Sequence, residues 1–163
     1  MATHLKNLSD FSHTTVPNGN PYKIAIAVAE WNAEITGSLY NGAFQTLIKH
    51  GVAENNILSV AVAGSFELTS AADILLKKHA DLDAVICLGC VIQGDTKHFD
   101  FICDAVAQGI TNVSIKHSKP VIFGVLTTND QQQAIDRAGG KHGNKGDEAA
   151  ITALKMAELA ATI

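Results

Sequence analysis

The chain alternates between short apolar runs and longer segments whose apolar residues recur every three to four positions. "KIAIAVA" (23–29), "ILSVAVA" (57–63), "DAVICLGCVI" (83–92) and "PVIFGVLTT" (120–128) are brief, rich in β-branched residues and almost continuously apolar. Runs of that length and composition predict strands buried on both faces. Between them, "EITGSLYNGAFQTLIKHG" (34–51) places Ile35, Leu39, Ala43, Leu47 and Ile48 on one helical face and stops near Gly51. "FELTSAADILLKKH" (66–79) repeats the period. "FDFICDAVAQGITNVSI" (99–115) sets Phe99, Ile102, Cys103, Val106 and Ile110 in one stripe. "QQQAIDRAG" (131–139), capped by Asn129 or Asp130, predicts a further helix. The glycine-rich "GGKHGNKG" (139–146) then breaks the chain before a last helix, "DEAAITALKMAELAATI" (147–163).

Strands buried on both sides and joined by helices imply a four-stranded parallel sheet with helices on each face, a three-layer αβα sandwich. No linker divides residues 22–163, so they form one α/β domain. Residues 1–21 are polar and contain Pro17, Asn18, Gly19 and Pro21; they read as an N-terminal arm or edge segment outside the core. A formal net charge of -4 and the lack of a basic run give no electrostatic case for nucleic acid. No apolar stretch is long enough to span a bilayer, and the N-terminus lacks the layout of a secretion signal. The expected location is the cytosol. Of the cysteines, Cys87 and Cys90 form a lone C-x-x-C and Cys103 stands apart. Positions three apart on a strand face opposite ways, which suits neither chelation nor a disulfide, so no metal is expected.

Ligands of such sheets bind beyond the carboxyl ends of the strands. The segments there are "EWN" (30–32), "GSFE" (64–67), "QGDTKH" (93–98) and "TTND" (127–130). Trp31, the single tryptophan, is either a core or interface anchor or a stacking platform for a flat heterocycle. Glu67 either complements a helix dipole or recognises an imide or amino group. Gly94-Asp95-Thr96 opens a helix; its free N–H groups and a hydroxyl make an anion site, or Asp95 or Thr96 is an ordinary cap. His98 falls one turn into that helix, on the ligand edge, and an imidazole suits proton transfer near neutrality. Arg137 either complements a helix end or clamps a phosphate.

Taken together and in order, "EWN", "VAGSFEL", "LGCVIQGDTKHFDFI", "PVIFGVLTT" and "QAIDRAGGKHGNKGDEAA" resemble the lumazine synthase (6,7-dimethyl-8-ribityllumazine synthase) family over residues 20 to 160. The resemblance implies a flavodoxin-like sandwich and a cofactor-independent transferase of riboflavin biosynthesis. Such an enzyme condenses 5-amino-6-ribitylamino-pyrimidinedione with 3,4-dihydroxy-2-butanone 4-phosphate, releasing phosphate and water. By the same resemblance His98 is the proton-transfer histidine. Trp31 stacks on the pyrimidinedione. Ser65, Phe66 and Glu67 bind that substrate's ring and ribityl chain, and Cys90, Val91 and Ile92 line its site mostly through backbone. Asp95, Thr96 and Arg137 hold phosphate, with Phe123 and Arg137 supplied by a neighbouring subunit.

The resemblance further implies a homo-oligomer, a pentamer that in some members builds a 60-subunit shell, with the N-terminal arm pairing with a neighbour's sheet edge. The sequence departs from the family's pattern at Ala63, where proline is usual, and at Glu30, Gln93 and Asp95, which make the rim more acidic. Three competing readings share the sheet edge. A flavin- or nucleotide-holding module has little reason to carry both His98 and Arg137. A phosphoacceptor domain needs an acidic cluster after the first strand and an aspartate ending the third. A catalytically retired shell or flavin-storage protein is compatible with the acidic substitutions.

Overall fold

The computed structural model describes residues 7–163. In chain order the elements are β1 (Ile24–Ala29), α1 (Ala33–Lys49), β2 (Ile57–Val62), α2 (Leu68–Lys78), β3 (Ala84–Ile92), α3 (His98–His117), β4 (Val121–Thr128), α4 (Gln131–Ile135), β5 (Ala138–Gly140), β6 (Gly143–Asn144) and α5 (Lys145–Thr162). The four long strands form one parallel sheet in the order β2-β1-β3-β4. No helix among the described residues is long and apolar enough to cross a membrane.

Alternate residues of each strand feed two separate cores. On one face Ile24, Ile26, Ile86 and Leu88 meet Ile35, Leu39, Ala43 and Leu47 of α1 and Ala150, Ala153 and Leu154 of α5. On the other, Ala25, Ala27, Val85 and Cys87 meet Leu68, Ala72 and Leu75 of α2 and Val106 and Ile110 of α3. The three-layer sandwich and four-stranded parallel sheet expected from the pattern are present, as the two-sided burial of apolar strands requires. β3 lies inside the sheet, and its first seven residues are all buried. β2, at an edge, alternates between half-buried and exposed positions towards its end.

Three local features differ from the expectation. The glycine-rich break is a small antiparallel ladder, β5 with β6; strands of two or three residues are too short for a period to show. α4 is capped by the Asp130 carboxylate, which accepts the Gln133 N–H at 2.8 Å, but it ends at Ile135 rather than near residue 139. The described part of the arm is not all peripheral, because Leu8 and Pro17 are buried. Leu8 N–H donates to the His142 carbonyl at 2.7 Å, and Asn144 N–H donates to Ser9 Oγ at 2.9 Å, so this stretch packs on its own chain's β5–β6. Isolated anchors of this kind leave no periodic signal. Residues 1–6 of the expected arm lie outside the described residues.

A polar cluster ties α2 to α3. The Asp73 carboxylate accepts from His117 Nε2–H and Lys116 Nζ of α3, each at 2.8 Å, and from Lys77 Nζ of α2 at 2.5 Å. These donors, His117 first, hold the Asp73 carboxyl well below the usual carboxylate range.

Two outcomes follow from this packing. Leu88 is fully buried at the centre of β3, and Leu88→Ala should destabilise the fold by about 2–5 kcal/mol, read from the denaturant midpoint at unchanged slope. Asp73, with its folded value depressed, contributes stability above the unfolded value of about 4 and loses it as pH falls. The unfolding free energy of Asp73→Asn should therefore vary less steeply with pH than that of the wild type between about pH 4 and about pH 2; equal slopes in urea titrations would contradict the ion cluster's role.

Candidate active site

The first wall is built where β1 ends. Glu30 N–H donates to the Val62 carbonyl at 2.8 Å and Trp31 N–H to that of Ala63 at 3.1 Å, so the turn after β1 is fastened to the end of β2. Asn32 adopts left-handed backbone angles (φ 60, ψ 47), a conformation that asparagine tolerates better than most residues. Its Nδ2 donates to the Cys90 carbonyl at 3.0 Å, tying the same turn to the end of β3, while its own carbonyl accepts the Ile35 and Thr36 N–H groups of α1. The Trp31 ring is left 74% exposed beside this junction.

The second wall is the tight turn of residues 65–67 leading into α2. Glu67 Oε2 accepts the Gly64 N–H at 3.0 Å, which closes the turn. Glu67 thus holds the turn that leads into α2, and it lines the cleft as well. Ser65 is buried over β3. A Cβ built on Gly89 would stand 2.5 Å from Ser65 Oγ, so only glycine lets this turn sit so close to the strand. Phe66 follows, 55% exposed.

The third wall comes from the end of β3 and the start of α3. Gln93 N–H donates to the Thr128 carbonyl at 2.8 Å, after which the chain leaves the sheet. Gly94-Asp95-Thr96 was expected to open the helix, with His98 one turn inside. Instead residues 95–97 form a turn and His98 is the first residue of α3. The reason is local. Lys97, at the cap position, already has helical angles, and no side chain caps the helix there. Thr96 Oγ1 accepts the His98 N–H only at a long 3.4 Å. Of the other N–H groups in the first turn of this 20-residue helix, those of Asp100 and Phe101 donate to the Lys97 carbonyl at 3.1 and 3.3 Å, which leaves that of Phe99 open at the rim.

These walls enclose a cleft of about 540 Å³, lined by Trp31, Asn32, Gly64, Ser65, Phe66, Glu67, Cys90, Val91, Ile92, His98 and Ile102. Its size suits a small organic ligand. Of the residues singled out in the sequence, Trp31, Ser65, Phe66, Glu67, Cys90, Val91, Ile92 and His98 meet here. Asp95 and Thr96 stand exposed on the turn just before His98 and do not line the cleft. Two residues lie elsewhere. Phe123 is on β4, at the sheet's other edge, with Ile110 and Ile115 of α3 on one side and Lys145 and Glu148 of α5 on the other. Arg137, the chain's single arginine, follows α4, and its Nη1 donates to the Gln133 carbonyl at 2.9 Å. No lysine or arginine of the described residues lines the cleft.

Sequence reasoning overlooked Asn32 and Ile102. The asparagine's signal was its position directly after a strand, where left-handed turns favour that residue; Ile102 looked like one more member of a core stripe. The thiols offer little chemistry. Burial pushes Cys87 up to about 12 and Cys90 up to about 11, and the two belong to cores on opposite faces of the sheet. The cleft thus presents an aromatic face, a carboxylate, backbone groups at a strand end and an imidazole at a helix start. That set can stack a flat heterocycle, accept its N–H or hydroxyl groups, and move a proton.

A family model described as 6,7-dimethyl-8-ribityllumazine synthase matches residues 21–161. Among curated proteins, the 6,7-dimethyl-8-ribityllumazine synthase of Cytophaga hutchinsonii is 60% identical over 163 residues, covering 100% of both chains. That of Porphyromonas gingivalis is 57% identical over 159 residues, 98% of each. That of Parabacteroides distasonis is 53% identical over 161 residues, 99% of this chain and 100% of the relative. Agreement along the whole length, arm included, joins the cleft's chemistry to one conclusion: this chain belongs to the 6,7-dimethyl-8-ribityllumazine synthase family.

Proposed function

We infer that the chain condenses 5-amino-6-(D-ribitylamino)pyrimidinedione with 3,4-dihydroxy-2-butanone 4-phosphate to 6,7-dimethyl-8-ribityllumazine, releasing phosphate and water. This is a step of riboflavin biosynthesis that requires no metal or organic cofactor. The observation that carries the reading is the convergence of Trp31, Glu67 and His98, from three different strand ends, on one cleft.

The roles follow from chemistry. The pyrimidinedione stacks on Trp31 and Phe66, with Ser65 and the backbone of Cys90, Val91 and Ile92 against its edge. Glu67, whose Oε2 already holds the Gly64 N–H, accepts from ring N–H or ribityl hydroxyl groups through its remaining capacity. Imine formation, phosphate elimination and ring closure each move a proton, and His98 is placed to carry it. The departing phosphate is a dianion. It is met by the open Phe99 N–H at the start of α3, by the Thr96 hydroxyl and by the backbone of the turn at Asp95. Holding a stacked ring beside a clamped phosphate supplies much of the rate enhancement.

Within one chain no lysine or arginine of the described residues lines the cleft, and Lys97, on the turn itself, stands 3.8 Å from Asp100. Arg137 and Phe123 supply the missing wall from a neighbouring subunit, so the working unit is a homo-oligomer, a pentamer of the kind that in some family members builds a 60-subunit shell. The N-terminal arm pairs with a neighbour's sheet edge in that assembly, and the enzyme works in the cytosol. Glu30, Gln93 and Asp95 make the rim more acidic than is usual for the family without removing histidine, threonine or arginine. Ala63, in place of proline, leaves the turn before Gly64 less rigid.

Mixing the protein with both substrates and following the lumazine chromophore tests the activity directly. His98→Ala should lower kcat about 100-fold or more while sparing pyrimidinedione binding. Arg137→Ala should raise KM for the butanone phosphate about 10- to 100-fold, the cost of one charge-assisted contact. When subunits of the two variants are mixed, unfolded and reassembled together, activity should exceed that of either alone, because mixed interfaces hold an intact histidine and an intact arginine. Additive activity, or a fully active monomer by light scattering, would overturn the shared site.

A further inference from the structure

The cleft's histidine sits on a helix held at its far end. α2 and α3 cover the same face of the sheet, and their leading ends form two walls of the cleft: the 65–67 turn ahead of α2 and His98 opening α3. The helices come close together where Thr69 meets Gly109. A Cβ on Gly109 would stand 2.5 Å from Thr69 Oγ1 and 2.7 Å from its Cγ2, so the close approach requires glycine. Thr69 Oγ1 is buried there with no hydrogen-bond partner, the one such side-chain atom among the described residues. The crossing therefore fixes a distance but contributes no directional bond to set an angle.

The directional bonds lie at Asp73. Its carboxylate, 21% exposed, takes up His117 and Lys116 from the last turn of α3 as well as Lys77 from α2. His117 is itself 16% exposed, so this pair is half-buried, whereas Lys77 and Lys116 are 57% and 58% exposed. On the other side of the crossing α3 is held less deeply: Val106 is buried there, but the stretch from His98 to Ala105 contributes only half-buried residues such as Ile102. From Gly109 to His98 runs about 16 Å of helix, against about 12 Å from Gly109 to His117. A shift at the clamped end is returned, somewhat enlarged, at the imidazole.

We propose that Asp73 and His117 are positioning residues for the condensation: their contact sets the tilt of α3 about the Thr69–Gly109 crossing and so places His98 over the cleft. This rests on the function proposed above. Neither residue lines the cleft, so each acts only through α3, which carries His98 and Ile102 to it. A misplacement of about 1 Å can cost about 100-fold in rate; partial release of one of several contacts should cost less.

The experiment uses the assembled full-length protein. His117→Ala should lower kcat about 5- to 10-fold, with KM for the pyrimidinedione within about twofold of wild type, since Trp31, Ser65 and Cys90 are untouched. His117→Lys, which restores a cationic donor to Asp73, should recover kcat to within about twofold. Asp73→Asn should behave as His117→Ala does. Hydrogen exchange, which needs no activity, should quicken at Phe99–Cys103 in His117→Ala and return to the wild-type rate in His117→Lys. Wild-type kcat in His117→Ala, equal losses in His117→Lys and His117→Ala, or unchanged exchange at Phe99–Cys103 would overturn the proposal. A wild-type protein that forms no lumazine would instead overturn the proposed function, and the exchange comparison would still judge the clamp.

Discussion

Everything in this molecule depends on burying a parallel sheet on both faces. Strands such as "AVICLG" carry no polar side chains because helices cover them from each side, and their backbone groups are satisfied only along the ladder. Parallel strands all run out at the same edge. The chain must turn there, its ladder ends there, and polar side chains can be placed there without cost to either core. A cleft of about 540 Å³ at that edge is thus a consequence of the fold, and its chemistry is set by what the turns carry.

The turns are held by a few specific bonds. Asn32, in a left-handed conformation, joins the ends of β1 and β3 through its amide. Glu67 closes the 64–67 turn onto Gly64. Gly89 lets Ser65 lie against β3. Each of these is a structural feature that also aims a recognition group. Trp31, Phe66 and Glu67 consequently owe their positions to backbone geometry more than to packing, and both aromatic rings are left open at the cleft.

Much of this was legible in the sequence. The four strands declared themselves through continuous apolar runs, and the rule that ligands bind at carboxyl ends made Trp31, Glu67 and His98 candidates, each with an ordinary structural role beside it until the family likeness was weighed. What stayed hidden had physical causes. The start of α3 was misplaced because Gly94-Asp95-Thr96 looks like a cap, whereas Lys97 enters helical angles with no side-chain cap at all. The β5–β6 ladder and the anchor at Leu8 are too short to show a period. Phe123 and Arg137 look like edge and helix-end residues from pattern alone, and within a single chain that is where they lie. Their assignment to the cleft of an adjoining subunit comes from family likeness, because periodicity describes one chain's core and is silent about faces completed by another.

The central claim is that the flat substrate lies on the aromatic wall formed at the end of β1. The chain has a single tryptophan, so its intrinsic indole fluorescence reports on Trp31 alone. Titrating the pyrimidinedione substrate into the assembled protein, without the second substrate, should quench that emission saturably, with a midpoint matching the KM for the same compound when substrate release is fast. Emission that stays unchanged at concentrations saturating turnover would place the ring away from Trp31 and contradict the account.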